Sequence, residues 1–112
     1  MIDPTYEVYP YQELADKRKA KIISILLTHY HADYVAGHTE FNLPLIMGPS
    51  STREGSAIKV YEMQDHSTFN LGSVWIKVLH TPGHTLESTC FLLSDKNHKQ
   101  ACIFTGDTIF LG

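Results

Sequence analysis

Two histidines and an aspartate, His29, His31 and Asp33, lie within five residues and directly follow an apolar run at residues 22–27. The run is rich in Ile and Leu, which is typical of a strand buried on both faces. Because side chains alternate along an extended backbone, His29 and His31 project to the same side. The pattern therefore predicts two imidazoles that face one metal ion where a strand ends.

Two further segments each place one possible metal ligand in a glycine-containing turn after an apolar run. His84 lies in the segment Thr81-Pro-Gly-His-Thr, and Asp107 lies in Thr105-Gly-Asp-Thr. Strand ends can meet in space, so we expect these turns to join the first cluster. The remaining histidines have no other possible ligands beside them and are expected to be non-catalytic: His38, His66, His80 and His98. Of these, His38 and His80 are expected to lie nearest the site.

This mixture of side chains suits a borderline divalent cation. Neutral imidazoles together with a carboxylate are preferred by Zn(II) and Fe(II), and an incomplete ligand set leaves positions for water or substrate. We therefore expect one catalytic ion rather than a closed structural site. The second ring nitrogen of each histidine needs a partner, which Thr28, Asp33, Thr85 or a backbone carbonyl can supply.

Size and composition narrow the function further. The chain has 112 residues and a net charge of −3, with a pI near 6.1, which predicts one small domain without a basic surface for nucleic acid or an anionic membrane. No apolar run approaches the roughly 20 residues of a membrane span, and the start lacks a secretory pattern, so a cytoplasmic location is expected. A small-molecule substrate is the natural expectation.

Local patterns predict a helix at residues 11–20 after an extended lead-in, and helical turns within residues 34–41 and 50–55. Strands are predicted at residues 21–28, 45–47, 58–63, 74–79, 88–93 and 101–105. Cys90 and Cys102 fall in the last two of these strands. If the two strands form a hairpin that turns near Asn97, the thiols would lie roughly opposite each other, although free buried thiols are expected in the cytosol.

With these motifs in view, the chain resembles the metallo-β-lactamase-fold superfamily. His29-Tyr-His-Ala-Asp33 matches its histidine-aspartate motif, residues 81–85 match its second histidine motif, and Gly106-Asp107 matches its bridging aspartate. The resemblance implies an α/β (α+β) fold, namely a partial αββα sandwich with a mixed sheet and flanking helices. It also implies a metal-dependent enzyme, with persulfide dioxygenases, their rhodanese-fused relatives and glyoxalase II-like thioester hydrolases as the nearest branches.

The resemblance leaves three functions open. In the first, the chain is a mononuclear enzyme similar to persulfide dioxygenases, and its substrate is a small thiol derivative such as a glutathione persulfide. His29, His84 and Asp107 would hold the one ion. His31 and Asp33 would lie nearby as ligand, support or proton acceptor. Tyr34, which replaces a histidine found in dinuclear relatives, favours this mononuclear reading because a phenol is a poor ligand at neutral pH. In the second, the chain is a Zn(II) thioester hydrolase, and in the third it is a non-catalytic module that retains the motifs.

Length is the second departure from the family pattern. Relatives carry additional strands before and after the matched segments, so residues 1–112 are expected to form a single partial domain. Such a domain would leave sheet edges unpaired and apolar faces uncovered. We therefore expect either a homo-oligomer or a part of a longer protein.

Overall fold

Two sheets form the framework of the protein in a computed structural model that describes residues 1–33 and 35–111. Three of the strands in these ranges run parallel, in the spatial order β1-β2-β3. Their bounds are Ile25–Leu26 for β1, Leu45–Met47 for β2 and Val60–Glu62 for β3. Because β1 and β2 point the same way, the loops that follow them emerge at one end of the sheet.

The second sheet is antiparallel, with the order β4-β5-β6-β7. Its strands are Thr68–Leu71 for β4, Val74–His80 for β5, Thr89–Ser94 for β6 and Gln100–Phe104 for β7. Gly72, at a φ of 61°, lies in the tight turn between β4 and β5. The predicted α/β architecture with parallel and antiparallel pairing is confirmed.

The apolar core lies on both faces of the parallel sheet. Leu26 points towards the antiparallel sheet and packs with Ile76, Val78 and Phe91. Its neighbours Ile25 and Leu27 point the other way and belong to a second cluster on the outer face. This alternation explains why residues 25–27 are all apolar, and it confirms a strand covered on both faces, although the strand is shorter than the predicted 21–28 and Ile23 before it is exposed.

The helix α1 spans Tyr9–Lys17, two residues earlier at its start than predicted. Pro10 occupies its first turn, where the missing N–H of proline costs nothing. Lys19, in the left-handed region at a φ of 50°, ends the helix before the predicted boundary. Within residues 34–41 the described part contains a short 3-10 helix, Gly37–Thr39, in place of regular α-helix.

The helical turn predicted at residues 50–55 is wrong. This segment is a non-helical loop with a turn at residues 54–55, because the Glu62 carboxylate accepts hydrogen bonds from the backbone N–H groups of Ser51 and Thr52. These N–H groups bond to a side chain of β3, so they are not available for the hydrogen bonds of a helical turn.

The expectation that the two thiols lie opposite each other is also wrong, although the hairpin itself is present. In the ladder Cys102 pairs with Leu93, which is three residues beyond Cys90 in the same strand, and Phe104 pairs with Phe91. Both cysteines are free, with Cys90 buried and Cys102 exposed.

An apolar cleft of about 780 Å³ separates α1 and the first residues from the two sheets. Its walls include Leu14, Ile23, Ile46, Phe69 and Phe104, in agreement with the expectation of uncovered apolar faces. His29, His84 and Asp107 do not line this cleft. Within residues 1–33 and 35–111, no helix has the length and apolar character that crossing a membrane requires.

Candidate metal centre

His29 is fixed at the end of β1 by a chain of hydrogen bonds. The Asp3 carboxylate accepts the Thr28 N–H at 2.8 Å and the Thr28 hydroxyl at 2.9 Å. Since a hydroxyl has only one proton to donate, Thr28 Oγ1 must accept its contact with His29 Nδ1, at 3.0 Å, from the ring N–H. The proton of a neutral ring is then on Nδ1, and His29 Nε2 keeps a lone pair for a metal.

Three potential ligands converge on this nitrogen. Within residues 1–33 and 35–111, His29, His84 and Asp107 form a group whose ligand atoms all lie within 4.8 Å of one another. Asp107 Oδ2 is 3.8 Å from His29 Nε2 and 3.5 Å from His84 Nε2. Two ligands at about 2.1 Å from an ion in tetrahedral geometry are about 3.4 Å apart. The cluster therefore has dimensions that fit a divalent cation.

Asp107 reaches the cluster from a short 3-10 helix, Gly106–Thr108, directly after β7. Gly106 has a φ of 48°, in the region that favours glycine. A side chain at this position would also collide with Thr28, since a Cβ built there lies 2.7 Å from Thr28 Cβ. Glycine thus lets the Asp107 turn pack directly on the residue that orients His29.

His31 lies beside this group and interacts with Asp3. Its Nε2 is 3.2 Å from Asp3 Oδ1, and its ring centroid is 4.1 Å from that of His29. Its predicted roles as metal ligand and catalytic group stay predictions, because the three-residue group does not include it. Asp33, the other predicted catalytic residue, is exposed and is likewise outside the group. The prediction that involves Tyr34 lies outside the described residues.

The surroundings of His29 favour a neutral imidazole. Burial, followed by the neighbouring charge of His31, lowers the pKa of His29 below its usual value. A neutral ring is the form that binds metal. Exposure differs within the group, since the side chain of His29 is 2% exposed whereas that of His84 is 44% exposed. Solvent or a substrate can therefore approach from the His84 side.

The other histidines fall into two groups. His38 has a buried Nδ1 without a hydrogen-bond partner among the described residues, and burial, with a smaller effect of His31, lowers its pKa. By contrast, His80 bonds to the Leu86 carbonyl, His66 contacts Asp65, and His98 stacks on Trp75. The partners of these last three are residues other than the candidate ligands.

Two carboxylates near the site were not singled out from the sequence. Asp3 contacts Thr28 and His31, as described above, and Glu87 accepts the Tyr30 N–H. Each carboxylate is far in sequence from the N–H that it accepts: Asp3 is 25 residues from Thr28, and Glu87 is 57 residues from Tyr30. Local spacing carries no signal for such pairs. The Thr28 partner of His29, in contrast, was among those expected.

Comparison with known proteins agrees with this geometry. The chain is 37% identical over 117 residues to a Schizosaccharomyces pombe protein named "probable hydroxyacylglutathione hydrolase", and the match covers 98% of this chain and 43% of that protein. It is 30% identical over 122 residues to the mitochondrial hydroxyacylglutathione hydrolase of Saccharomyces cerevisiae, covering 99% of this chain and 41% of the relative. No family model matches. The chain thus spans less than half the length of these relatives.

Among solved structures, the metallo-β-lactamase from Staphylococcus aureus superimposes with a TM-score of 0.86 at 31% identity. The superposition covers 99% of this chain and 36% of that protein. Fold, sequence similarity and the convergence of three strand-end motifs agree with one another. The chain belongs to the metallo-β-lactamase-fold superfamily.

Proposed function

We propose that the chain carries the metal-binding half of a hydrolase that cleaves thioesters of glutathione. The convergence of His29, His84 and Asp107, with ligand atoms within 4.8 Å, is the observation that carries this proposal. The substrate class is supported by the two relatives named hydroxyacylglutathione hydrolases. As in the sequence prediction, the ion is one divalent metal, Zn(II) or Fe(II).

The residues of the chain have distinct parts in such a reaction. His29, His84 and Asp107 would hold the ion, and Thr28 keeps the lone pair of His29 Nε2 available. A bound divalent ion supplies Lewis acidity, which lowers the pKa of water to about 7 and polarises a carbonyl oxygen. Asp33 is exposed and lies close in sequence to the ligands, so we assign it the role of proton acceptor. His31, held by Asp3, is either a further ligand or a support.

Metal analysis and a thioesterase assay test the proposal together. The metal-free chain is reconstituted with Zn(II) or, anaerobically, with Fe(II), and hydrolysis of a hydroxyacylglutathione thioester is followed. His84→Ala is expected to abolish stoichiometric metal binding. His98→Ala is the matched control and should bind the metal as wild type does. His98 lies in the turn between β6 and β7, where it stacks on Trp75. Equal metal content in both variants would refute the ligand assignment.

A second candidate function is oxygenation of a glutathione persulfide. It is favoured by the group itself, since two histidines and one carboxylate with open positions form the facial triad of non-haem Fe(II) oxygenases. Oxygen uptake by the Fe(II)-loaded chain with glutathione persulfide distinguishes it from the hydrolase. Uptake without thioester hydrolysis would favour the dioxygenase, and the reverse would favour the hydrolase.

The third alternative, a non-catalytic module, predicts a folded chain that takes up no metal. Oligomeric state and membership of a longer protein are likewise proposals, motivated by the apolar cleft of about 780 Å³. Sedimentation of the purified chain tests the first of these. A monomer with full metal uptake would contradict the need for a second copy.

A further inference from the structure

Glu87 is a buried carboxylate that joins two loops of the candidate metal centre. We call residues 28–33 the first histidine loop and residues 81–88 the second histidine loop. Glu87, in the second loop, is 5% exposed, and its Oε1 accepts the backbone N–H of Tyr30 at 3.1 Å. Tyr30 lies between His29 and His31 in the first loop, and Glu87 follows His84 by three residues. One hydrogen bond therefore connects the backbone between two histidines to the loop that carries the third.

Arg53 supplies the positive charge that a buried carboxylate requires. Its guanidinium nitrogen is 3.9 Å from Glu87 Oε1, and its guanidinium carbon lies 4.1 Å above the centre of the Tyr30 ring. The Tyr30 hydroxyl in turn donates to the Ser51 carbonyl at 2.8 Å. Burial raises the pKa of this phenol, so the hydroxyl keeps the proton that it donates. The network thus adds the loop after β2 to the two histidine loops.

The energetic requirements of a metal site make such a connection consequential. Leaving a buried backbone N–H without an acceptor costs about 1–3 kcal/mol. Metal–ligand bonds tolerate displacements of only about 0.2 Å, so a small shift between the two loops would degrade the site. A second contact between the same regions, from the Thr89 N–H to the Thr28 carbonyl at 2.9 Å, does not use the Glu87 side chain and would persist without it.

We propose that Glu87 is a positioning residue that holds the second histidine loop against the first at the separation that metal binding requires. This proposal rests on the proposed function only in that the centre binds a divalent ion. It assigns to Glu87 an effect on metal affinity in addition to any effect on folding. A purely structural Glu87 would lower the stability of the metal-free chain and leave the affinity of the folded molecules unchanged.

The test measures Zn(II) affinity by competition with a chelator at 25 °C, together with urea unfolding of the metal-free chain. Glu87→Ala removes the acceptor for Tyr30 N–H and is expected to weaken Zn(II) binding by about 10- to 100-fold, the range for residues that orient metal ligands. Glu87→Gln retains a carbonyl oxygen at the same place and is expected to stay within about threefold of wild type. Rescue by the conservative variant separates acceptor geometry from loss of charge.

Asp95→Ala is the matched control. Asp95 also accepts backbone N–H groups within a loop, from Asn97 and Lys99, but this loop joins β6 to β7 and does not carry a candidate ligand. We expect Asp95→Ala to lower stability and to leave Zn(II) affinity within about threefold of wild type. Should Glu87→Ala not fold at 25 °C, Glu87→Met, which fills the space without an acceptor, replaces it.

The outcomes separate this proposal from the proposed function. If Glu87→Ala and Asp95→Ala both bind Zn(II) as tightly as wild type, the positioning role is wrong while the metal centre stands. If Glu87→Gln binds as weakly as Glu87→Ala, the acceptor geometry is not the cause and the proposal fails. If wild type itself binds no divalent ion, both are overturned. If the wild-type chain has no thioesterase activity but the Zn(II) affinities of the variants are as expected, only the proposed reaction is overturned.

Discussion

Replacement of Gly106 by alanine tests the packing that brings Asp107 to the metal centre. Gly106 has a φ of 48°, which costs an L-residue about 1–2 kcal/mol. The new Cβ would also lie 2.7 Å from Thr28 Cβ, and Thr28 cannot retreat because it is 1% exposed and bonded to Asp3. Overpacking of this kind costs about 1–3 kcal/mol. We therefore expect Gly106→Ala to lower the free energy of unfolding by about 2–5 kcal/mol.

Two other glycines supply graded controls for this variant. Gly72 also has a positive φ, of 61°, but its Cβ position is open, so Gly72→Ala should cost only the backbone part, about 1–2 kcal/mol. Gly83 has neither a positive φ nor a neighbour within 4 Å of a built Cβ, and Gly83→Ala should be neutral or slightly stabilising. The difference between Gly106→Ala and Gly72→Ala isolates the collision with Thr28.

Urea unfolding of the metal-free chain, with excess chelator present, measures all three variants. Equal destabilisation by Gly106→Ala and Gly72→Ala, within about 0.5 kcal/mol, would contradict the collision between a Cβ at position 106 and Thr28. Because Thr28 orients His29, Gly106→Ala is also expected to weaken Zn(II) binding by at least tenfold, and Gly72→Ala is not. A stability loss with unchanged affinity would show that His29 does not depend on Thr28.

The remaining predictions concern acid stability and the core. Hydrogen bonds from the backbone, chiefly from Thr52, lower the pKa of Glu62. The ionised carboxylate therefore stabilises the folded chain at a pH above the unfolded pKa, near 4.3. This stabilisation is lost as the pH falls through the lower pKa of the folded state. Glu62→Gln should therefore cost about 1 kcal/mol at pH 7 and progressively less below pH ~4.3; a cost that does not change with pH in urea titrations would contradict this. Phe91→Ala should cost about 3–5 kcal/mol, because Phe91 is fully buried, whereas its cross-strand partner Phe104, which is 40% exposed, should cost about 1 kcal/mol or less as alanine. Similar urea midpoints for these two variants would contradict the difference in burial between Phe91 and Phe104.

Features that depend on neighbouring residues in the sequence were predictable. The apolar run before His29 predicted a strand buried on both faces, and the glycine turns after two other runs predicted where His84 and Asp107 would lie. The close approach of these three side chains was expected because each of them lies in a turn at the end of an apolar run, and the family resemblance implies the same convergence. The hairpin of β6 and β7 was predictable, but the pairing of Cys102 with Leu93 was not, because the residues between the two strands do not fix the point at which the chain turns.

Features that depend on distant partners were not predictable. Asp3 is near the start of the chain and Glu87 is in the second histidine loop, and each is defined by a hydrogen bond to the segment after β1. The non-helical loop at residues 50–55 has the same origin, since Glu62 on β3 accepts the N–H groups of Ser51 and Thr52. In each case a side chain from elsewhere in the fold overrides the local preference of the backbone.

The helix α1 has few anchors, and this has a consequence for motions of the native state. None of its residues is buried, and Tyr11 links it to the rest through a hydroxyl contact with Thr5 N, at 2.9 Å, and an edge-on contact with the Phe41 ring. Detaching such a helix breaks little of either core, so it should open as a separate cooperative unit well below the global unfolding free energy. Amide exchange in α1 should then depend less on urea than exchange in β5 and β6, because less surface is exposed, and each opening would briefly convert the apolar cleft into open surface that small apolar molecules can reach.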